Sequence, residues 1–515
     1  MCPQIFRAPR PATLRTLKMR KPFGAHVNTV PIAIASFVFC GLALRIIFWT
    51  GPTGSDDVAY FTLAAKFLSL QPFSEIDFAV RPVFLILIGT PAVLLNSMSA
   101  GIALNVLFSL LNDLTTIWIA YRLFGKSASM AAAFAMAFCG VNILYPSTFL
   151  PDTLLTTLFL AVFLQVERAV ASEVTSLRWM LVAGLATGAA YSVKETGILL
   201  VPPVALFVLL KARQRKAAWS PPLACYAIGI LGFVLIEATV SFLYTGHFFY
   251  RQVALAQAAM SDQFLGKTSL LRDYLREAAY HVVRFGSRHI IYGTIAIIVA
   301  VPLWIAAIRR VHLEMLIALI GGFSLLYLLV GTMSLTELVL VPYQPRYCQP
   351  IIPFAALALA KGYSAALTKG VGARLIAYSV GVLIVGPSIL AAPLVSGNMY
   401  NEPYYRNLAA VVPLLDSSGK PVFLIKQDFE SLRHFLKLER YLNVRPSPEG
   451  LAAAGYYVVN PTRVHLSDFA DKIAARGAFQ FQADTRTYRR YFPTLELPDF
   501  TPISRRQVVV LEKPL

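Results

Sequence analysis

The sequence predicts an α-helical polytopic membrane protein with about eleven transmembrane helices, a juxtamembrane helical loop on the outer side, and a small C-terminal α/β soluble domain. Of its 515 residues, 57% are hydrophobic and 14% are charged, whereas soluble domains average about 45–50% and about 25%. The mean hydropathy is +0.62. A chain of this length accommodates roughly ten spans of about 20 residues and one soluble domain.

Basic residues dominate the charge, and their distribution indicates membrane topology. The net charge of +19 comes from Lys and Arg clusters between the apolar runs, where such residues set the orientation of the spans. This pattern disfavours a nucleic-acid partner. The five cysteines are scattered without a C-x-x-C pair, so the sequence indicates neither a structural zinc site nor a redox role.

Residues 1–29 form a basic N-terminus ahead of the apolar run Pro31–Trp49. That run is long for a signal peptide, and no A-x-A cleavage site follows it. We therefore expect a retained first helix with a cytoplasmic N-terminus, which opens a transmembrane domain over residues 30–395.

Eleven apolar segments could span the membrane, at 30–50, 100–121, 128–146, 153–170, 178–193, 195–211, 222–245, 289–308, 313–333, 349–366 and 373–395. A further apolar stretch, 82–98, would reverse the orientation of everything after it. Counting it would place Lys211–Lys216 and Arg309-Arg310 outside, against the positive-inside rule. We therefore predict that 82–98 is an interfacial or re-entrant helix.

With this orientation, a first loop over 51–99 and a large loop over 246–288 face the outside, together with a soluble domain over 396–515. Charge density rises in that last region, and short apolar strands alternate with helical patterns. The predicted strands are Pro421–Lys426, Gly455–Asn460 and Gln507–Glu512, and the predicted amphipathic helices are Phe429–Leu438 and Leu466–Arg476.

Ionisable residues at the mouth of a span are costly, which makes each one a functional candidate. Asp56 and Asp57 follow a turn-prone stretch and precede a helical pattern, so one of them suits a helix N-cap, although a cap does not require two acids. Asp152 follows Pro151 at the outer start of the fourth span, where an acid of the first helical turn is an equally simple interpretation.

Three basic residues share this outer face. Lys194 and Glu195 interrupt an apolar stretch between two spans, as a snorkelling interface pair would. Arg81 opens the segment 82–98. Arg346 and Tyr347 precede the tenth span, where an interfacial anchor and an aromatic belt are alternative roles.

Acids and bases on one face suit a particular reaction. A carboxylate can remove a proton from an acceptor hydroxyl, and Lys or Arg can stabilise the charge that grows on a departing phosphate. An apolar groove at bilayer depth can hold a lipid tail. A donor whose transferred group is linked to a lipid phosphate would use the carboxylate, the basic residues and the apolar groove.

The run Arg45…Ser55-Asp-Asp-Val-Ala-Tyr…Phe67 resembles the first outer loop of the GT-C membrane glycosyltransferases, a group that includes protein O-mannosyltransferases and lipid A aminoarabinose transferases. In that group an Asp-Glu pair precedes a juxtamembrane helix, and a basic-Pro step then leads into an apolar periplasmic helix. Arg81-Pro82 and 82–98 occupy those places, and Asp152 matches the second acidic residue of the family.

Two further motifs extend the resemblance over about 30–395. Gly184-x-x-x-Gly188…Lys194-Glu195 resembles the Gly-rich span of the family that ends in a basic residue. Arg346-Tyr347…Pro350…Pro353 resembles its Arg-Tyr-x-x-Pro signature. The chain has Asp-Asp where the family has Asp-Glu, which leaves open which carboxylate is the base.

The resemblance implies a GT-C fold and a single displacement with inversion at the anomeric carbon of a sugar carried by a polyprenyl phosphate. Asp56 would be the general base, Asp57 would position the acceptor or substitute as base, and Asp152 would orient acceptor or sugar. The remaining predicted site residues are phosphate-binding Arg81, Lys194 and Arg346 and substrate-positioning Tyr60 and Tyr347.

The resemblance implies no metal and no cofactor, although adjacent acids could hold a divalent cation. It places the protein in a bacterial inner membrane with a periplasmic C-terminal domain, acting on a glycan, lipid or protein acceptor. A transporter or lipid flippase is the main alternative, and it should place its charges near the bilayer midplane on broken helices. An O-antigen ligase or polymerase is another, disfavoured by the early Asp pair and the soluble domain.

Overall fold

A computed structural model shows a bundle of helices followed by a mixed β-sheet. The residues it describes are 29–51, 56–72, 81–171, 175–251, 253, 267–268, 271–307, 312–331, 338–340, 344–399, 402–424, 429, 441–447, 453–459, 477–482 and 507–513. All of the predicted N-terminal segment 1–29 except Thr29, and most of residues 254–270 in the predicted large loop 246–288, lie outside them.

The chain begins with one helix long enough to span a membrane and two shorter ones. Helix α1 covers Thr29–Ile47 and α2 covers Asp56–Leu68. Helix α3 covers Pro82–Leu94, begins with a proline as first turns often do, and contains a π-helical turn over Leu85–Gly89. A Cβ at Gly89 would lie 2.7 Å from the Ala64 Cβ, so α2 and α3 pack tightly. The 13 residues of α3 reach only about 20 Å, too short to cross about 30 Å of hydrocarbon.

The other helices of the bundle follow in chain order. They are α4 Met98–Phe124, α5 Lys126–Phe138, α6 Gly140–Leu144, α7 Asp152–Val170, α8 Leu177–Val193, α9 Val201–Arg215, α10 Ser220–Thr245, α11 Leu271–Ile291, α12 Ile295–Ile298, α13 Ala300–Ala307, α14 Leu313–Val330, α15 Ile352–Leu367 and α16 Val371–Met399. Short 3₁₀ turns over Tyr145–Ser147, Glu195–Leu200 and Pro345–Cys348 precede α7, α9 and α15.

Seven of the described helices are long and apolar enough to cross a membrane, or eight if the bent pair around residue 139 is one span. Each of the eleven predicted segments coincides with helical structure. However, α8 and α15 have 17 and 16 residues, and the segment 289–308 is divided among α11, α12 and α13. The protein is therefore a multi-pass membrane protein by these helices, and the count of eleven stays a prediction.

The bent pair is stabilised by buried polar groups. Lys126–Phe138 and Gly140–Ser147 meet at 63°. The Arg45 Nε donates to the backbone oxygen of Asn142 at 2.9 Å, and its guanidinium lies 2.7 Å from the Asp113 carboxylate. The Asn142 side chain donates to Asp113 at 2.9 Å. Because a broken helix leaves backbone groups without helical partners, side chains inside the bundle have to satisfy them.

Helices α8 and α10 touch through glycines. A Cβ on Gly184 would lie 2.1 Å from the backbone oxygen of Tyr226, and one on Gly229 would lie 2.4 Å from that of Leu181. Small residues allow such close approach of membrane helices. The contact brings the end of α8, where Lys194 follows, against the polar side of α10.

The C-terminal region contains helix α17, Glu402–Asp416, and a five-stranded sheet. The strands are β3 Val422–Leu424, β4 Val444–Pro446, β5 Gly455–Val459, β6 Gly477–Gln482 and β7 Gln507–Lys513, in the order β4-β3-β5-β7-β6. A separate two-residue pair, β1 Lys267–Thr268 and β2 Leu338–Val339, joins the large loop to the segment before residue 344.

In this sheet β3 is parallel to β4 and β5, and β7 is antiparallel to β5 and β6. The three strands predicted from sequence coincide with β3, β5 and β7, whereas β4 and β6 were not predicted. The predicted helix 466–476 and all of 429–438 except Phe429 lie outside the described residues. The boundary of the domain at 396 stays a prediction.

Candidate active site

The predicted acidic pair lies where α2 begins, at one end of the bundle. Asp56 and Asp57 occupy the first helical turn, where the helix dipole stabilises negative charge. The Asp56 carboxylate lies 2.7 Å from the Arg346 guanidinium, and its side chain is 29% exposed. Asp57 is completely buried. Of the two acids, Asp56 is the one that a bound substrate could reach.

A second ion pair joins α7 to the end of α8. Asp152 starts α7 directly after Pro151, and its carboxylate pairs with the Lys194 ammonium; both side chains are buried. The Lys194 Nζ also lies 3.7 Å from the centre of the Tyr347 ring. The Arg346 guanidinium lies 5.4 Å from the same ring, so cation–π contacts through Tyr347 connect the two ion pairs.

Burial sets the charge of Lys194, which lies in the turn between two helices. Burial, which Asp152 opposes and the neighbouring cations Arg346 and Arg81 reinforce, lowers the pKa of Lys194 to about 8. For Arg346, burial alone would lower the pKa, but Asp152, Tyr347 and Asp56 raise it above its ordinary value. Near neutral pH both side chains are cations, and only Lys194 is close to losing its proton.

Arg81 is positioned by the start of α3, since its backbone oxygen accepts from Leu85 in the first turn. Its Nη1 donates to the Tyr60 hydroxyl, and its Nη2 lies 3.4 Å from the Glu195 carboxylate. Burial raises the pKa of Tyr60, so the phenol stays neutral. Arg81, predicted to bind phosphate, and Tyr60, predicted to position the substrate, are therefore direct neighbours.

Glu195, Arg251 and Glu237 form a part of the site that the sequence interpretation missed. Arg251 is buried and contacts the Glu195 and Glu237 carboxylates, each at 2.8 Å. The sequence interpretation treated Glu195 as an interface residue and gave Arg251 no role. The signal available for Glu237 was an acid inside an apolar span.

The eight predicted site residues thus lie at one end of the bundle, although the roles proposed for them remain predictions. Among the residues that the structure describes, no group of three or more His, Cys, Asp and Glu side chains is arranged to hold a metal ion. A partly exposed carboxylate next to several cations suits proton removal at one point and anion binding beside it.

The chain is similar to known membrane glycosyltransferases. A family model described as dolichyl-phosphate-mannose-protein mannosyltransferase matches residues 82–242, just under a third of the chain. No curated protein sequence matches the chain.

Solved structures share the fold at low sequence identity. ArnT from Cupriavidus metallidurans in the apo state has a TM-score of 0.52 and 15% identity, with 94% of this chain and 98% of that chain covered. The same protein bound to undecaprenyl phosphate gives 0.52 and 14% over the same shares. The Archaeoglobus fulgidus oligosaccharyltransferase in the apo form gives 0.51 and 11%, with 88% and 73% covered. The shared fold and the family match over part of the chain confirm the predicted resemblance to the GT-C membrane glycosyltransferases.

Proposed function

We propose that this protein transfers a sugar from a polyprenyl-phosphate donor to an acceptor hydroxyl of a lipid, glycan or protein. One observation carries the proposal: the partly exposed Asp56 carboxylate lies beside Arg346. Lys194 and Arg81 lie at the same end of the helical bundle. The ArnT structure with bound undecaprenyl phosphate has the same fold, which supports a lipid-phosphate donor.

In the proposed reaction, Asp56 removes the proton of the acceptor hydroxyl. The acceptor oxygen then forms a bond to the anomeric carbon from the face opposite the phosphate, and the bond from that carbon to the phosphate oxygen breaks. The electron pair leaves with the polyprenyl phosphate, so the anomeric configuration inverts. The complete burial of Asp57 favours Asp56 as the base, with Asp57 positioning the acceptor or substituting as base.

The basic residues would bind the leaving phosphate. Arg81, Lys194 and Arg346 lie at the same end of the bundle, and charge-assisted hydrogen bonds to phosphate are strong. Asp152, the present partner of Lys194, would turn toward sugar or acceptor. Tyr60 and Tyr347, which contact Arg81 and Lys194, would position the substrate. The proposal implies no cofactor or metal, although the adjacent acids could hold a divalent cation.

The proposed location is a bacterial inner membrane with the active site and the C-terminal domain on the periplasmic side. A transporter is the competing function, and one observation favours it: the buried Arg45–Asp113 pair lies inside the bundle beside the bent helix pair. Transporters carry charges at such breaks. The transfer experiment separates the two functions.

The test is transfer from a labelled polyprenyl-phosphate sugar in membranes that contain the protein. We expect Asp56→Asn to lower transfer at least about 100-fold, because a positioned base contributes about that much. Asp57→Asn should lower it less. Glu314→Gln is the matched control, since Glu314 pairs with Lys361 at the opposite end of the bundle; it should retain activity. Wild-type transfer by both aspartate variants would show that the base is assigned wrongly.

A further inference from the structure

The basic side chains at the active end of the bundle form ion pairs with acidic side chains. Among the described residues, four cations there each contact a carboxylate: Arg346 with Asp56, Lys194 with Asp152, Arg81 with Glu195, and Arg251 with Glu195 and Glu237. A phosphate that binds here therefore competes with carboxylates for their cations. The weakest of these ion pairs determines which cation a bound phosphate contacts first.

Glu195 is shared unevenly between its two arginines. Arg251 donates to the Glu195 Oε1 from Nη2 at 2.8 Å and from Nε at 3.1 Å. The Arg81 Nη2 lies 3.4 Å from Oε2, long for a charge-assisted hydrogen bond, which is typically about 2.7–2.9 Å. Arg81 is therefore the cation that can bind a phosphate with the smallest loss of ion-pair energy.

Arg251 is held too firmly to turn toward a ligand. Its side chain is 1% exposed, and its guanidinium also donates to the backbone oxygens of Tyr191 and Ser192. Glu237, 5% exposed, contacts its Nη1 at 2.8 Å. Because Glu237 compensates the charge of Arg251, the charge of Glu195 remains effective at Arg81.

The donor and the product differ in charge, and the competition between Glu195 and phosphate affects the product more strongly. A polyprenyl-phosphate sugar is a phosphodiester with one negative charge, whereas the product is a monoester. A phosphate monoester has a second pKa of about 6 and carries about −1.5 to −2 at pH 7. A purely cationic pocket would therefore bind product more tightly than donor, and product release would slow turnover.

We propose that Glu195 is a positioning residue that competes with phosphate for Arg81 and so weakens the binding of the polyprenyl phosphate product. The proposal rests on the proposed function and names the regulation of the same site. In the free protein Glu195 holds Arg81 beside Tyr60. When phosphate binds, Arg81 turns to it and Glu195 stays on Arg251; the return of Arg81 to Glu195 then favours release.

The experiment measures the binding of undecaprenyl phosphate to the purified full-length protein, together with kcat and KM for transfer. Glu195→Gln keeps the shape and an acceptor oxygen but removes the charge, so we expect its Kd for undecaprenyl phosphate to fall about tenfold. Its kcat and KM should fall together, since release becomes slower. Glu195→Asp keeps the charge but withdraws it from Arg81, and its Kd should fall only about threefold.

Two controls separate charge competition from general disturbance. Glu167→Gln neutralises another buried acid, which pairs with Arg122 near the far end of α7, and its Kd should stay within about twofold of wild type. In an Arg81→Gln background, adding Glu195→Gln should also change the Kd by less than about twofold, because the contested cation is gone.

An unchanged or larger Kd in folded Glu195→Gln overturns the inference while leaving the proposed function intact. If that variant does not fold, Glu195→Asp decides by the same criterion. A wild-type protein that binds no undecaprenyl phosphate at all removes the proposed function and this inference together.

Discussion

At Lys194, one ammonium group contacts a carboxylate and the face of an aromatic ring in a buried position. Asp152, Tyr347, Arg346 and Arg81 are the charged and titratable groups that face it. The pKa of Arg346 is raised, and burial raises that of Tyr347, so those two groups keep their charge states in mildly basic solution. Lys194 is therefore the group whose charge changes first as the pH rises.

We expect kcat/KM for the polyprenyl-phosphate donor to fall as the pH rises through about 8, the value to which burial lowers the pKa of Lys194. A lysine is cationic below its pKa and neutral above it, so phosphate binding loses one partner on the basic side. Loss of one buried charge should reduce kcat/KM about tenfold between pH 7 and pH 9.5. A pH profile of initial rates at low donor concentration measures this, because kcat/KM reports the free enzyme.

Lys194→Arg is the companion variant for the pH profile. Arginine stays charged throughout the range, so its profile should be flat above pH 8 even if its absolute activity is lower. The same basic-side fall in this variant would mean that another group is responsible.

The sequence predicted which charged residues lie at the same end of the bundle better than it predicted their partners. Asp56, Asp152, Arg81, Lys194 and Arg346 could be found because a charge next to an apolar span has a high cost. Their pairing depends on how each helix is rotated about its axis, which a single sequence does not encode in its spacing. That is why Glu195 was interpreted as an interface residue rather than as the partner of Arg81 and Arg251.

At the level of elements, the contact between α8 and α10 determines where Lys194 and Glu237 stand relative to each other. The two backbones approach closely at Gly184 and Gly229, where a Cβ would overlap a backbone oxygen of the other helix. Backbone atoms cannot move aside as a flexible side chain can. Even one added methyl group must therefore separate the helices.

We expect Gly229→Ala to destabilise the protein by about 1–3 kcal/mol, the usual cost of overpacking, and to reduce transfer because the Arg251 contacts to both helices loosen. Gly232 on the same helix is the matched control, since a Cβ there would have no atom within 4 Å. Gly232→Ala should leave the apparent Tm in detergent unchanged or slightly raised. Equal Tm values for the two variants would argue against a tight contact in the membrane.

For the whole molecule, topology determines whether the charged groups share one side of the membrane. The short helix α3 does not reach across a bilayer, which accords with its prediction as an interfacial or re-entrant segment. Gln71, after α2, should then face the outside, and Arg213, near the end of α9, should face the cytoplasm. Both are exposed in the structure.

Single-cysteine variants Gln71→Cys and Arg213→Cys test this arrangement in intact cells. A membrane-impermeant maleimide should label residue 71 without permeabilisation and residue 213 only after it. Labelling of residue 213 in unpermeabilised cells would reverse the orientation after α3 and separate Asp56 from Lys194 across the membrane.

Hydropathy located helical segments because a lipid-facing helix must be apolar along its length. It did not predict the bent pair at residue 139 or the division of 289–308, since both remain apolar while their backbones break. In the C-terminal region β4 is only Val444–Pro446, too short for an alternating pattern to be recognised.

The Arg45–Asp113 pair has a consequence for biogenesis. Helix α1 carries Arg45 in its last turn, buried inside the bundle, where an unpaired arginine is costly, although less so than at the centre of a membrane helix, where the cost is about 2.5–3.5 kcal/mol. Its counter-ion belongs to α4, so α1 acquires a neutralising partner only after the ribosome has synthesised the chain through Asp113. Stable integration of the first helix should therefore depend on the arrival of the fourth, and a truncated chain that ends before residue 98 should insert α1 less efficiently than one that includes α4.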